Sequence, residues 1–244
     1  MSAPLVCLEG VRKEFGAVVA VERLTLELDA GEIVALVGDN GAGKSTVVNC
    51  LAGVHAPTSG RILLEGEPVR FSGPLDARSH GIEVVPQDLA LADAQPVYMN
   101  VFLGRERVTG PLRRLDRGAM AAAATALLDE LDVRIDSVRA PVHTLSGGQR
   151  QGVAIARAML WAQRLVLMDE PTAALGVTET RRVEELILRL RERGKAILLV
   201  SHSLDQVLRL ADRICVLRRG RQVGVLAREE TSGDEIVAMI TGLR

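Results

Sequence analysis

The sequence predicts an α/β fold: a mixed, largely parallel sheet with flanking helices, an N-terminal antiparallel β-subdomain and an inserted α-helical subdomain. Three observations support this prediction. Short apolar runs, such as residues 32–37 and 196–200, are typical of buried strands. These runs alternate with helical stretches, which is the order expected of a parallel sheet covered by helices. Between residues 88 and 144 the strand-like runs disappear, and this segment is predicted to be helical.

Composition narrows the class of protein. The chain has 244 residues, 48% of them hydrophobic but only 2% aromatic, so its core must be built from Leu, Val, Ile and Ala. The net charge of -1 gives no basic footprint for nucleic acid. The three cysteines form no C-x-x-C pair, so neither zinc nor a disulfide framework is expected. We expect neither a signal peptide nor a membrane span, because no apolar run approaches 18 residues.

The stretch at 38–46 organises the chain, because it fits the phosphate-binding loop pattern Gly-x4-Gly-Lys-[Ser/Thr]. It follows the predicted strand at 32–37 and leads into a predicted helix at 47–52, as a P-loop NTPase core requires. Glycines let several backbone N–H groups point into one concavity, and the helix starting near Lys44 adds a positive dipole end. By chance, this pattern should occur in roughly one chain of this length in a hundred. Nucleotide binding is therefore favoured over a glycine-rich turn without a ligand. The candidate residues are Gly38, Asp39, Asn40, Gly41, Ala42, Gly43, Lys44, Ser45 and Thr46, with Lys44 reaching the terminal phosphates and Ser45 a Mg²⁺ ligand.

Phe15 lies between two predicted strands, at 5–8 and 20–28, and is one of few aromatic residues. It is either a core residue at a strand end or a face on which a nucleotide base stacks. The spacing alone does not decide between them. Further strand-like alternation follows at 60–71.

Two polar residues follow predicted strands at their carboxyl ends, where ligands bind in open α/β sheets. Gln87 comes after the strand at 82–85 and Pro86, and His202 comes after the strand at 196–200. Taken alone, each is more often an ordinary loop residue. Gln87 and His202 become candidate site residues only in combination with the other motifs of the chain.

The segment at 88–144 is predicted to hold helices at 97–103 and 116–131, the second of them rich in alanine. Several arginines give it local positive charge, as either a solvated surface or a partner surface. They are Arg105, Arg107, Arg113, Arg114 and Arg117.

Residues 145–149, Leu-Ser-Gly-Gly-Gln, open a helix that is predicted to run to about residue 161. Ser146 is a good N-cap residue, and Gly147 and Gly148 would let an anion approach the exposed N–H groups. A capped helix after a loop would be an adequate explanation if the stretch stood alone.

The apolar run at 165–168 ends in Asp169 and Glu170. An acid at the end of a buried strand beside a phosphate loop can hold Mg²⁺ through water, which suits Asp169. Glu170 would face a water that attacks the terminal phosphate. Helices are then predicted at 178–193, 203–210 and 232–240, and a hairpin at 213–217 and 222–226.

This ordered set of motifs resembles the ATP-binding subunits of ABC transporters, over essentially the whole chain. The resemblance implies one domain at 1–244, with an ATP-binding core at 1–87 and 145–244 and a helical subdomain at 88–144. The implied ligands are ATP and Mg²⁺. The implied catalytic residues are Glu170 as general base, His202 at the γ-phosphate, and Gln87. Phe15 would stack on adenine, and Ser45, Gln87 and Asp169 would organise Mg²⁺.

The resemblance further implies a composite site. The chain has two helix starts suited to an anion but only one complete phosphate loop, which a head-to-tail homodimer would use together. Ser146, Gly147, Gly148 and Gln149 would then bind the γ-phosphate of ATP held by a second subunit. Closing the dimer assembles the catalytic groups, so hydrolysis depends on a conformational step.

Three stretches, at 87–91, 100–106 and 170–177, are similar to importers of monosaccharides such as ribose, xylose or fructose. This similarity implies permease partners, an indirect periplasmic or extracellular sugar-binding partner, no nucleic acid, and a place at the cytoplasmic face of the cell membrane. One position departs from the family pattern. The segment after Glu170 usually ends Ala-Leu-Asp, whereas Gly176 stands here in place of the aspartate, which puts coupling between the two sites in doubt.

Two other functions compete with transport. A soluble ABC protein of DNA repair, chromosome organisation or translation would be expected to show coiled coils, zinc modules or tandem ATPase halves. A phosphate-loop kinase would leave residues 145–149 and Glu170 unexplained. The sequence therefore favours transport.

Overall fold

The computed structural model describes residues 3–173 and 175–243. The strands are β1 (Val6–Phe15), β2 (Val18–Leu28), β3 (Ile33–Val37), β4 (Ser59–Leu64), β5 (Glu67–Val69), β6 (Ile82–Val85), β7 (Val108–Thr109), β8 (Arg114–Leu115), β9 (Leu165–Asp169), β10 (Ala196–Val200), β11 (Arg213–Arg218) and β12 (Arg221–Ala227). The α-helices are α1 (Lys44–Leu51), α2 (Pro74–Ser79), α3 (Val97–Val101), α4 (Arg117–Glu130), α5 (Gly147–Trp161), α6 (Val177–Glu192), α7 (Leu204–Leu210) and α8 (Gly233–Thr241). Short 3₁₀ turns lie at Val142–Thr144 and Arg228–Glu230.

Ten of the described strands form one mixed sheet, in the order β5-β4-β1-β2-β12-β11-β3-β10-β9-β6. Its parallel half runs from β11 through β3, β10 and β9 to β6. Its other half is antiparallel, with β1 between β2 and β4 and with β5 at the edge. The predicted α/β fold class, with its antiparallel N-terminal region, is therefore confirmed.

The central strands are apolar throughout because both faces of the parallel half are covered. Ile33, Ile197 and Leu199 face the larger apolar cluster, which also contains buried residues of α3 to α6. Val34 and Leu198 face a second cluster, which contains the buried side of α1. Successive side chains of a strand point to opposite faces, so a strand covered on both sides has no polar alternation.

The segment at 88–144 contains the predicted helices, α3 and α4, but was wrongly predicted to lack strands. Strands β7 and β8 form a small antiparallel hairpin within it. Each is only two residues long, too short for an alternating pattern to be seen in the sequence. Gly110 and Arg113, both with positive φ, make the connecting turn.

Two further corrections concern single elements. Strand β1 extends to Phe15, so this residue ends a strand and does not lie between two strands. Helix α2, at Pro74–Ser79, was not predicted. Helix α1 begins at Lys44, where the helix start beside the phosphate loop was expected. Ala174, part of the stretch compared with sugar importers, lies outside the described residues, as do Met1, Ser2 and Arg244.

Candidate functional site

The predicted site residues follow neighbouring parallel strands at one edge of the sheet. Strand β10 pairs with β9 so that Val200 lies beside Asp169, and with β3 so that Val200 lies beside Leu36. On the far side of β9, β6 ends at Val85, two residues before Gln87. The loops that leave these four strands consequently meet at the carboxyl edge, where open α/β sheets bind ligands.

The phosphate loop requires glycine at two positions. Gly38 and Gly43 have φ values of 151° and 106°. A Cβ atom would lie 2.1 Å from the Leu217 carbonyl oxygen at position 38, and 2.5 Å from the Ala20 carbonyl oxygen at position 43. The loop thus passes so close to other backbone that no side chain fits. Its backbone N–H groups and the start of α1, whose N-cap is Gly43, face the site together.

Lys44 is buried, and its ammonium group is held by loop carbonyls. Its Nζ donates hydrogen bonds to the Gly38 oxygen at 2.6 Å and to the Asp39 oxygen at 2.9 Å. Burial lowers the pKa of Lys44, while the nearby carboxylates of Glu170 and Asp169 oppose this shift. A cation held this way in partly desolvated surroundings attracts an anion more strongly than one in water.

Glu170 has an unusual backbone conformation, with φ at 52°. This left-handed conformation costs a non-glycine residue about 1–3 kcal/mol and persists only where the surroundings impose it. Here its N–H group donates to the Val200 oxygen at 2.9 Å, which turns the chain sharply after β9. The turn places the Glu170 side chain next to Asp169 in the same site.

The two carboxylates differ from solvated ones. Burial raises the pKa of Glu170, against the lowering influence of His202. Burial also raises the pKa of Asp169, against the charges of Lys44 and His202. His202 Nε2 lies 3.2 Å from the buried Glu170 Oε1. A carboxylate with a raised pKa beside an imidazole suits a group that accepts a proton from a bound water.

These groups line one open cavity of about 310 Å³. Its lining includes most of the loop together with residues from three other strand ends. The residues are Ala20, Asn40, Gly41, Gly43, Lys44, Ser45, Thr46, Gln87, Asp169, Glu170, Val200 and His202. The predicted catalytic and metal-binding residues therefore lie together in the folded chain, although their roles remain predictions.

The residues predicted to hold Mg²⁺ fit that ion. Ser45, Gln87 and Asp169 offer oxygen atoms at this cavity, and oxygen is the ligand type that Mg²⁺ takes. The described residues contain no group of three His, Cys, Asp or Glu side chains that could hold a metal by themselves. A Mg²⁺ bound through few side chains and completed by phosphate oxygens and water is consistent with both observations.

Phe15 lies outside that cavity lining, so its predicted stacking on a base stays a prediction. Its side chain is 44% exposed at the end of β1. The His55 ring contacts it edge to face, with centroids 5.0 Å apart, and Lys13 Nζ lies 4.9 Å from its centroid. An aromatic ring this exposed on a mostly aliphatic protein has a surface available for a base.

The helix start at residues 146–149 lies away from the phosphate loop. The Ser146 hydroxyl accepts from the Gln149 N–H at 3.2 Å, and Gln149 Oε1 accepts from the Ser146 N–H at 2.9 Å, which is a complete capping box. Ser146, Gly148 and Gln149 line a different and larger cavity of about 650 Å³, between α5 and α6. The structure therefore does not bring this motif to the loop of its own chain. The smaller cavity is the candidate active site, because it is where the charged motif residues meet.

Sequence reasoning missed the residues that shape the loop after Gln87. Leu89 and Ala90 both have positive φ, and the Arg157 guanidinium of α5 donates to their carbonyl oxygens, at 2.9 Å each. Buried Glu83 lies nearby on β6, with Arg105 from the helical segment 2.8 Å away. No sequence pattern marks these contacts, because they join residues 22 to 68 positions apart.

Comparison with known proteins gives a consistent result. The profile of the family described as ABC transporter matches residues 21–173. The fructose import ATP-binding protein FrcA of Rhizobium meliloti is 47% identical, covering 99% of this chain and 95% of its own. The xylose/arabinose import ATP-binding protein XylG of Sulfolobus acidocaldarius is 46% identical, covering 96% and 92%. The ribose import ATP-binding protein RbsA of Yersinia pestis is 42% identical over 98% of this chain, which spans about half of that longer protein at 46%.

Solved structures agree in fold. An ATP-binding cassette of an ABC transporter superimposes with a TM-score of 0.83 at 25% identity, covering 98% of each chain. A dimeric cassette in a post-hydrolysis state, bound to ADP and phosphate, gives a TM-score of 0.78 at 25% identity, covering 91% of this chain and 98% of that one.

Proposed function

The chain belongs to the ABC transporter family, as its motifs predicted, and we propose that it is the ATP-hydrolysing subunit of an importer for a monosaccharide. The observation that carries the proposal is the convergence of Lys44, Gln87, Asp169, Glu170 and His202 in one cavity. The names of the relatives support sugar import, since fructose, xylose/arabinose and ribose importers all match along nearly the whole chain.

The geometry supports a separate role for each group of the site. The loop N–H groups and Lys44 bind and orient the terminal phosphates of ATP. Glu170 takes the proton from the attacking water, and His202, with its Nε2 3.2 Å from Glu170 Oε1, contacts the phosphate being transferred. Such a reaction depends on positioning and on charge stabilisation more than on covalent chemistry by the protein. Ser45, Gln87 and Asp169 would hold Mg²⁺, which would neutralise charge on the phosphates.

A second subunit completes the site. The helix start at 146–149 is capped and ready for an anion, but it lies in a different cavity from the loop of its own chain. The post-hydrolysis dimer among the similar structures supports association through nucleotide. We infer a head-to-tail homodimer in which residues 146–149 of each subunit close over ATP held by the other.

The remaining partners follow from an importer's architecture. No described helix has both the length and the apolar character needed to cross a membrane. We propose separate permease subunits because the similar proteins are named import ATP-binding proteins. The ATPase would bind them peripherally at the cytoplasmic face, and a periplasmic or extracellular sugar-binding protein would act on the permease. We propose no nucleic-acid partner. No observation favours a non-transport ABC protein over an importer.

An uptake assay tests this function. Cells that lack the chromosomal copy would be complemented with the parent chain or with Lys44→Ala, and accumulation of labelled fructose, xylose, arabinose and ribose would be measured. We expect the parent chain to restore uptake of at least one of these sugars and Lys44→Ala to restore none.

The matched control is Lys195→Ala, which removes a half-buried lysine outside the cavity whose Nζ donates to the Gln163 carbonyl oxygen at 3.1 Å. It should restore uptake like the parent. If the parent chain hydrolyses ATP but none of the sugars accumulates, import of these monosaccharides is wrong, although the ATPase assignment stands.

A further inference from the structure

The two glycines of the 146–149 motif lie close to side chains of the same chain. A Cβ atom on Gly147 would lie 3.2 Å from Leu175 Cδ2. On Gly148 it would lie 2.8 Å from Glu179 Cγ and 3.1 Å from Glu179 Cβ. The start of α6 therefore rests directly on the start of α5, and these glycines permit close packing of two helix starts as well as access for an anion.

Glu179 also fills the space beside Gly176. A Cβ atom on Gly176 would lie 2.7 Å from Glu179 Oε2, although the backbone there, with φ at -69°, suits any residue. Position 176 thus lacks a side chain, and the carboxylate of Glu179, three residues later on the first turn of α6, occupies that space. One half-buried glutamate therefore contacts both the 146–149 motif and the segment that follows Glu170.

Backbone hydrogen bonds join the described residues of that segment. The Ala173 N–H donates to the Glu170 oxygen at 3.1 Å, and the Leu175 N–H donates to the Thr172 oxygen at 3.3 Å. The Thr180 N–H then donates to the Gly176 oxygen at 2.9 Å and starts α6. These bonds lie between Glu170 and the first turn of α6, which carries Glu179.

We propose that Glu179 is a positioning residue that couples the two ATP sites of the dimer. It holds residues 146–149, which close one site, in fixed register with the turn that carries Glu170 of the other. This inference rests on the proposed function. Only in a dimer with shared sites do residues 146–149 and Glu170 of one chain face two different ATP molecules. Coupling of this kind needs contiguous contacts that both sites bias.

Single substitutions at position 179 test the contact itself. Glu179→Ala removes the side chain that lies on Gly148 and beside Gly176. We expect ATP-driven dimer formation and maximal turnover to fall about tenfold, and the cooperativity of hydrolysis with ATP concentration to be lost. Affinity of the monomer for a fluorescent ATP analogue and the melting temperature should stay unchanged, since Glu179 does not line the ATP cavity. Glu179→Gln keeps the stem of the side chain and should behave like the parent.

The matched control is Glu185→Ala, which removes an exposed acid from the same helix and the same 650 Å³ cavity. It should change none of these quantities. A purely structural role for Glu179 would instead lower the melting temperature and the monomer's nucleotide affinity together, and that result would overturn the inference.

A double-mutant cycle sharpens the test. Gly176→Asp in the parent puts a second carboxylate beside the Glu179 carboxylate, so dimer formation should weaken. In the Glu179→Ala background the same substitution enters vacated space and should restore part of the lost cooperativity. Equal effects of Gly176→Asp in both backgrounds, or a Glu179→Ala variant that dimerises and turns over like the parent, would overturn the proposal.

The proposed function fails in a distinguishable way. A parent chain that neither hydrolyses ATP nor forms an ATP-dependent dimer would remove the premise before any variant is compared. With an active, dimerising parent, only the Glu179 variants decide the inference.

Discussion

Replacing Glu170 by glutamine separates binding from chemistry at the site. The amide has the same shape as the carboxylate but cannot take a proton from water. A general base contributes about 10²–10⁴-fold to a rate, which corresponds to about 3–5 kcal/mol of barrier. We therefore expect the turnover of Glu170→Gln to fall by about that factor, while ATP affinity is retained because the loop and Lys44 are untouched.

The same variant should accumulate as an ATP-bound dimer. The substitution removes a negative charge beside Asp169, where both carboxyl groups already have raised pKa values. Less repulsion then opposes the phosphates of ATP, and slow hydrolysis prevents release. Size-exclusion chromatography with ATP and with ADP, together with a phosphate-release assay, measures both effects. Parental turnover would refute Glu170 as the general base. Parental turnover by a variant that also stays monomeric with ATP would refute the composite site.

Stability against pH gives an independent check on the environment of Glu170. Because burial raises its pKa, the folded chain binds this proton more tightly than the unfolded chain does. The contribution of Glu170 to stability is then fully present below the ordinary glutamate pKa of about 4.3, and it is lost as the pH rises through the window between that value and the raised one.

Glutamine is uncharged, so burying it does not carry the cost of burying an ionised carboxylate. Glu170→Gln should therefore be more stable than the parent at pH 7, by about 1.4 kcal/mol for each unit of pKa elevation. The difference should vanish towards pH 4. Urea unfolding at both pH values measures it, and a difference that grows in acid would contradict the burial argument.

Three further predictions concern separate parts of the molecule. Phe15→Ala should weaken ATP binding by about 1–3 kcal/mol if the exposed ring stacks on adenine, while Phe15→Tyr should not; a titration that finds equal affinities would exclude stacking. Ser146→Ala should cost about 1 kcal/mol of unfolding free energy through the lost cap and should slow turnover without changing the ATP affinity of the monomer, whereas parental turnover would argue against a role in the partner's site. Phe102→Ala should lower the free energy of unfolding by about 3–5 kcal/mol, because Phe102 is fully buried and packs edge to face on Trp161, with ring centroids 5.8 Å apart. A loss under about 1 kcal/mol in urea unfolding would mean that the core collapses around the gap.

The parts of the fold that follow from local patterns were predictable. Buried strands and amphipathic helices leave a signal within ten residues, and so do the loop at 38–46 and the capping box at 146–149. The convergence of Asp169 and Glu170 with Lys44 was also predictable, because parallel strands place their carboxyl ends on one edge. The predicted domain bounds at 87–88 and 144–145 are not tested by these contacts and stay a prediction.

The rest depended on contacts that no local pattern carries. The left-handed conformation of Glu170 is imposed by Val200, thirty residues away, and the Leu89–Ala90 turn is held by Arg157. The β7–β8 hairpin is too short for a period of two to show. Each case is one in which tertiary contacts, rather than propensity, select the backbone conformation.

The size and shape of the ATP cavity bear on why a second subunit is needed. At about 310 Å³ it lies at the low end of the range for ligand pockets, which is about 300–1,000 Å³. It has a floor, formed by the loop and the acid pair, and an open side. Hydrolysis requires water to be excluded apart from the one that attacks, so the open side must be covered during the reaction. The 146–149 helix start of the same chain does not cover it, because this helix start lines a different cavity. In the proposed dimer the cover comes from a second copy of this chain, whose helix start is suited to the γ-phosphate.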